Sequence, residues 1–111
     1  MSTLRIKATE NGKIDSRYIQ TVDVSLTNLG GNGFEFLLLG YGPHGLIHRR
    51  LYHLGQGESV TIPKIMTEHA PFEILVVTNA PNYDRTGLTL FARNRQEIVA
   101  IFTQEDAIRE T

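Results

Sequence analysis

The chain has 111 residues, enough for one domain and too few for two. Its 11 basic and 12 acidic residues leave a formal charge of -1, which argues against a nucleic-acid module, and its 41% hydrophobic content argues against disorder. Without cysteine it forms no disulfide or thiolate metal site, and no apolar run approaches the ~20 residues of a bilayer-spanning helix, so membrane insertion is not expected.

Short β-type runs separated by Gly, Asn and Pro at roughly ten-residue spacing predict an all-β, antiparallel β-sandwich of seven to eight strands, immunoglobulin-like or jelly-roll in type. The first run, Leu4 to Ala8, alternates Leu4, Ile6 and Ala8 with Arg5 and Lys7 before an Asn11-Gly12 turn. Residues 1–17 are therefore read as either an N-terminal arm or a first strand. Extended at about 3.3 Å per residue, such an arm would reach roughly 55 Å, far enough to add to a neighbour's sheet edge. From Tyr18 to Asn28, Val22, Val24 and Leu26 alternate with Asp23, Ser25 and Thr27, which predicts a strand with one buried face. Leu29 to Gly33 has little to pack and is read as a loop.

Phe34 to Gly40 is apolar on both parities, Phe36 and Leu38 on one and Leu37 and Leu39 on the other. A turn at Gly42 to Gly45 leads into a weaker strand, Leu46 to His53, whose alternation Arg49 and Arg50 interrupt. Glu58 to Ile62 reads as a short edge strand that Pro63 ends by removing a donor. Lys64 to Pro71 reads as a loop, because Ala70 precedes a proline. Phe72 to Asn79 is again apolar on both parities. Thr86 to Arg93 and Glu97 to Thr103 form a hairpin, which completes a sandwich over residues 18–104. The remaining residues, 105–111, form a polar tail that is frayed or acts as a strap.

Candidate chemistry is sparse. His48 and His53 are separated by an odd number within one strand, so they project to opposite faces and cannot share a metal; no metal or other cofactor is expected. Glu68 beside His69 has the residue types of a general-base pair, but in a loop these read as solvated surface. The chain is accordingly expected not to be an enzyme. Carbohydrate binding is the alternative: sugar sites need aromatic platforms, and with no tryptophan Tyr41, Tyr52 and Tyr83 are the candidates.

The anomaly is the set of strands with no polar face, since an antiparallel sandwich strand should alternate core and solvent residues. If Phe36, Leu38, Ile74, Val76, Leu88 and Leu90 fill the core, then Leu37, Leu39, Leu75, Val77 and Phe91 point outward. An immunoglobulin-type order pairs the strand at 34–40 with the strand at 72–79 and makes the surplus residues neighbours. These five, with Leu4 and Ile6 on a donated N-terminal strand, are the expected interface of a self-associating structural subunit whose partner is itself.

The run Leu54, Gly55, Gln56, Gly57, Glu58, Ser59, Val60, Thr61, Ile62, Pro63 resembles the turn-and-strand entry of bacterial immunoglobulin-like modules. The hairpin through Gly87, Leu90, Phe91, Ala92, Arg93, Asn94, Ile98, Val99 and Ala100 resembles the last hairpin of small sandwich proteins of spore-forming bacteria, including surface and endospore-appendage subunits. That resemblance implies a filament-forming subunit, made without a signal peptide in the cytoplasm of a mother cell, placed on the spore or cell surface after release and polymerised through an N-terminal arm. The segment from Met1 to Lys13 has no apolar signal core, which fits this expectation. The chain departs from the appendage pattern in lacking cysteine, so covalent cross-linking between subunits is not expected.

Overall fold

Nine strands arranged as two antiparallel sheets make the sandwich in the computed structural model, which describes residues 2–79 and 85–110. They are β1 (Ser2–Ala8), β2 (Thr21–Asn28), β3 (Phe34–Gly42), β4 (Gly45–Leu54), β5 (Ser59–Met66), β6 (Phe72–Thr78), β7 (Thr86–Asn94), β8 (Glu97–Thr103) and β9 (Ile108–Glu110). One sheet runs β4-β3-β6-β1-β9 and the other β5-β2-β7-β8. Single 3-10 turns stand at Ser16–Tyr18 and Gln104–Asp106. No helix among the described residues is long and apolar enough to cross a membrane.

The alternation read from sequence sets the layers. Val22, Val24 and Leu26 of β2 are fully buried between the sheets, as are Phe36 and Leu38 of β3, Val76 of β6 and Leu90 of β7, with Ile74 and Leu88 just as deep. The β3–β6 pairing expected from an immunoglobulin-type order is present in antiparallel register, Leu37 opposite Val77 and Leu39 opposite Leu75.

At one boundary the structure differs from the sequence reading, and at two it selects between the alternatives read there. Strand β5 does not stop at Pro63 but continues to Met66, because Asp23 of β2 stands where two residues of β5 pass. This bulge places Pro63 where no ladder donor is needed and turns Lys64 to φ 56°, its peptide N–H donating to Asp23 Oδ1 at 2.9 Å. The acidic tail is a strap: Thr103 caps the 3-10 turn at Gln104–Asp106, and β9 then crosses to the other sheet and pairs with β1. This gives nine strands where seven to eight were expected.

The N-terminus, read as an arm or a first strand, is the other such place. Residues 2–8 form a first strand of their own domain, wedged between β6 and β9. Leu4 and Ile6, expected at an intermolecular interface, are instead core residues, each 1% exposed. The physical reason is that the Leu4, Ile6, Ala8 stripe continues the inner surface laid down by Val76, Ile74 and Phe72, their register partners on β6.

One buried polar node closes the sheet end opposite the β7–β8 hairpin. Asn28 is inaccessible to solvent, and its side-chain amide donates to the carbonyls of Asn32 at 2.7 Å and Leu54 at 2.9 Å while its Oδ1 accepts from Gly30 N–H at 2.8 Å. A single side chain thus ties together the loops following β2 and β4, with each buried polar atom satisfied.

Candidate functional site

The outward face of the five-stranded sheet assembles Leu37, Leu39, Leu75 and Val77, four of the seven expected interface residues, together with Tyr41. Across it, one row reads Leu51, Leu37, Val77, Thr3, and the next reads Arg49, Leu39, Leu75, Arg5, Ile108. Five apolar side chains therefore sit in adjoining positions on three neighbouring strands. Leu37, Leu39, Leu75 and Val77 are half-buried by one another, whereas Leu51 on the edge strand is 59% exposed. A third row, Leu46, Tyr41, Glu73, Lys7, closes the patch with polar and aromatic groups.

Charges of both signs rim this centre. Arg5 Nε pairs with Glu73 Oε1 at 2.6 Å on one flank, Arg49 stands beside Leu39 on another, and Glu35 and His53 face each other at the far end. An apolar middle with mixed charge around it is the composition of a protein interface core and rim. Sequence reading missed Leu51 and Ile108. Leu51 lies in a stretch dominated by Arg49, Arg50 and His53, and Ile108 is alone in a polar tail, so only the strand register shows that both belong to this face.

Phe91 does not belong there. It lies on the outward face of the four-stranded sheet, between Asp23 of β2 and Ile101 of β8. Parity shows that a side chain points outward but not from which sheet, so Phe91 was grouped with residues on the opposite side of the molecule. Next to it, Asp23 holds Arg93 Nε at 2.7 Å and bounds an open polar depression with Gln20, Lys64 and Gln96.

Tyr41 and Tyr52 form no common platform. Tyr41 projects outward from β3 beside Glu73, while Tyr52 turns inward from β4 opposite Phe36 and packs against the core under the Arg50 guanidinium, 5.3 Å from the ring centroid. Tyr83 lies outside the described residues.

Glu68 and His69 are held in consecutive left-handed conformations, φ 55° and 62°, by peptide N–H groups donating to the carbonyls of Gln20 and Ile19. Their side chains diverge. Glu68 borders a depression with His44, Ile47 and Met66, whereas His69 meets Asn94 Oδ1 at 3.1 Å beside Arg95.

His48 and His53 project to opposite faces of β4, as their separation requires. Burial, reinforced by the nearby Arg50 charge, holds the His48 imidazole below its ordinary value of 6.5, and its buried Nε2 has no hydrogen-bond partner among the described residues. Among those residues no group of three or more His, Asp or Glu side chains is placed to hold a metal ion.

Comparison with protein-family models, curated proteins and solved structures finds no significant match to this chain.

Proposed function

We propose that this chain is a non-enzymatic structural subunit that associates with copies of itself through the outward face of its five-stranded sheet. The observation that carries the reading is the contiguous cluster of Leu37, Leu39, Leu51, Leu75 and Val77 on three adjacent strands. Soluble monomers seldom leave such a cluster in water. Its rim favours a second copy over a strongly charged partner, because Arg5, Lys7 and Arg49 are matched on the same face by Glu35 and Glu73.

Supported more coarsely, by resemblance alone, is membership of a surface or spore appendage. The association contemplated here does not need a donated N-terminal strand, since β1 is occupied within its own sheet.

The test is solution mass by size-exclusion chromatography with light scattering, for the native chain and for a variant carrying Leu39→Glu and Val77→Lys. The expected result is a folded variant of lower mass. An unchanged mass and melting temperature would show that this face makes no contact. Electron microscopy of the native protein then distinguishes a filament from a closed oligomer.

A further inference from the structure

We propose that β8 forms a second contact, pairing edge to edge and antiparallel with β8 of another copy so that the four-stranded sheet continues into one of eight. The proposal deepens the self-association reading, resting on it for the nature of the occupant but on different residues.

Four strands end the two sheets, β4, β9, β5 and β8. An edge strand presents a row of unpaired backbone donors and acceptors, and folded proteins guard such rows with charge, proline, bulges or shortness. Strand β4 carries His48, Arg49, Arg50 and His53; β9 has only three residues; β5 carries Pro63 and Lys64 in a bulge. Strand β8 is guarded least: its one irregularity is a bulge at Val99 near the hairpin. Its seven residues, Glu97 to Thr103, include no proline, lysine or arginine and carry one charge, at the first position.

The side chains along it agree. Ile98, Val99 and Ile101 are 47%, 48% and 54% exposed, three β-branched apolar residues on a strand hydrogen-bonded on one side only. The register of β8 on β7 shifts between Ala92 and Arg93, near the hairpin, and is regular from Ala100 to Thr103, which leaves a regular stretch for a partner.

A second β8 fits this edge for a reason of charge. In an antiparallel pair about a two-fold axis beside Ala100 or Ile101, the uncharged part of the strand meets itself and the two Glu97 side chains go to opposite ends. At ~3.3 Å per residue they lie roughly 20 Å apart or more, beyond the Debye length of about 8 Å. On the outer surface, Ile101 already sits beside Phe91, so the pairing extends that apolar row into the second copy. Combined with the leucine face, a separate two-fold contact on the other sheet links copies into an open chain rather than a closed pair.

Solution mass separates the two contacts. The native protein is expected to exceed a dimer. Ile101→Lys should leave a folded pair joined by the leucine face, Leu39→Glu with Val77→Lys a folded pair joined by β8, and the three together a single chain. If Ile101→Lys leaves the native mass unchanged, β8 is not a contact; if the leucine-face variant alone is unchanged, it is the earlier reading that fails. Cysteine provides an independent measurement, because the sequence has none. Paired residues share a sheet face, so the axis must pass beside one residue that meets its own copy. Single cysteines at Val99, Ala100, Ile101 and Phe102 are therefore expected to give a disulfide-linked dimer for at least one position, and Thr61→Cys on β5 none. Four folded cysteine variants without any linked dimer would overturn the proposal.

Discussion

The two outward faces of the sandwich have the same inner packing behind them and opposite chemistry. On the four-stranded sheet, β2 presents Thr21, Asp23, Ser25 and Thr27, and β7 presents Thr89 and Arg93 around the lone Phe91. Thr27 and Ser59 hydroxyls hydrogen-bond across strands at 2.8 Å, and the Asp23 carboxylate engages Arg93 and the Lys64 peptide. At the matching central strands of the other sheet, β3 and β6 present Leu37, Leu39, Leu75 and Val77. The fold therefore does not require apolar residues at outward central positions, since hydroxyl-bearing residues fill them equally well on the other side. On the proposed reading, what the leucines add is contact with a second copy.

The largest stability effect belongs to neither outward face. Phe36→Ala empties a fully buried site on β3 and should cost about 3–5 kcal/mol in chemical denaturation while any surviving folded fraction keeps the native assembly. A collapse of assembly without loss of stability would mean that the inner and outer faces of β3 have been misassigned.

Next in size is the inner polar node. Asn28→Ala removes three side-chain hydrogen bonds at a buried position and leaves the carbonyls of Asn32 and Leu54 without that donor, for an expected loss of about 1–3 kcal/mol. Denaturation curves that overlay the native ones would show that the loops after β2 and β4 hold themselves.

The contrast between the outward faces predicts a double dissociation. Leu39→Glu with Val77→Lys should lower the assembled mass with a modest change in melting, whereas Ser25→Glu with Thr89→Lys, equally charged and equally central on the polar sheet, should change neither. Equal effects from both pairs would remove the distinction drawn between the faces.

The smallest effect is a pH dependence. The His48 value in the folded chain lies below 6.5, so just beneath that pH the unfolded chain binds more protons than the folded one. Stability is therefore fully present above 6.5 and is lost as pH falls through that value toward the folded one. Melting temperatures should decline on mild acidification in the native protein and decline less in His48→Gln. Parallel curves would show that another group governs the slope.

Much of this architecture is legible in the sequence because strand alternation has a period of two and the core positions obey it. Phe36, Leu38, Ile74, Val76, Leu88 and Leu90 are where their parity puts them, and so are the outward Leu37, Leu39, Leu75 and Val77. Parity fails where a second coordinate is needed. It could not assign Phe91 to a sheet, nor say whether the Leu4–Ile6 stripe packs in its own domain or in a neighbour's. Strand β9 escaped because three residues with one isoleucine carry no periodic signal, and the extension of β5 escaped because a bulge makes Pro63 harmless. The tyrosines are a different case: the Gly-Pro turn and the register shift at Gly40 and Tyr41 intervene between Tyr41 and Tyr52, so their faces could not be related by counting.

The antiparallel contact between β1 and β9 sets Thr3 opposite Glu110, one inter-strand spacing of about 4.8 Å away. The two ends of the described chain thus leave the sandwich side by side from one edge. A sandwich with this geometry can be grafted into a surface loop of a host protein with little distortion of the host, or be circularly permuted by a short glycine-serine bridge across that edge and a new opening at the exposed Pro43-His44 turn. Such a permuted form would present new termini at the opposite end of the sheet, in the turn beyond Tyr41.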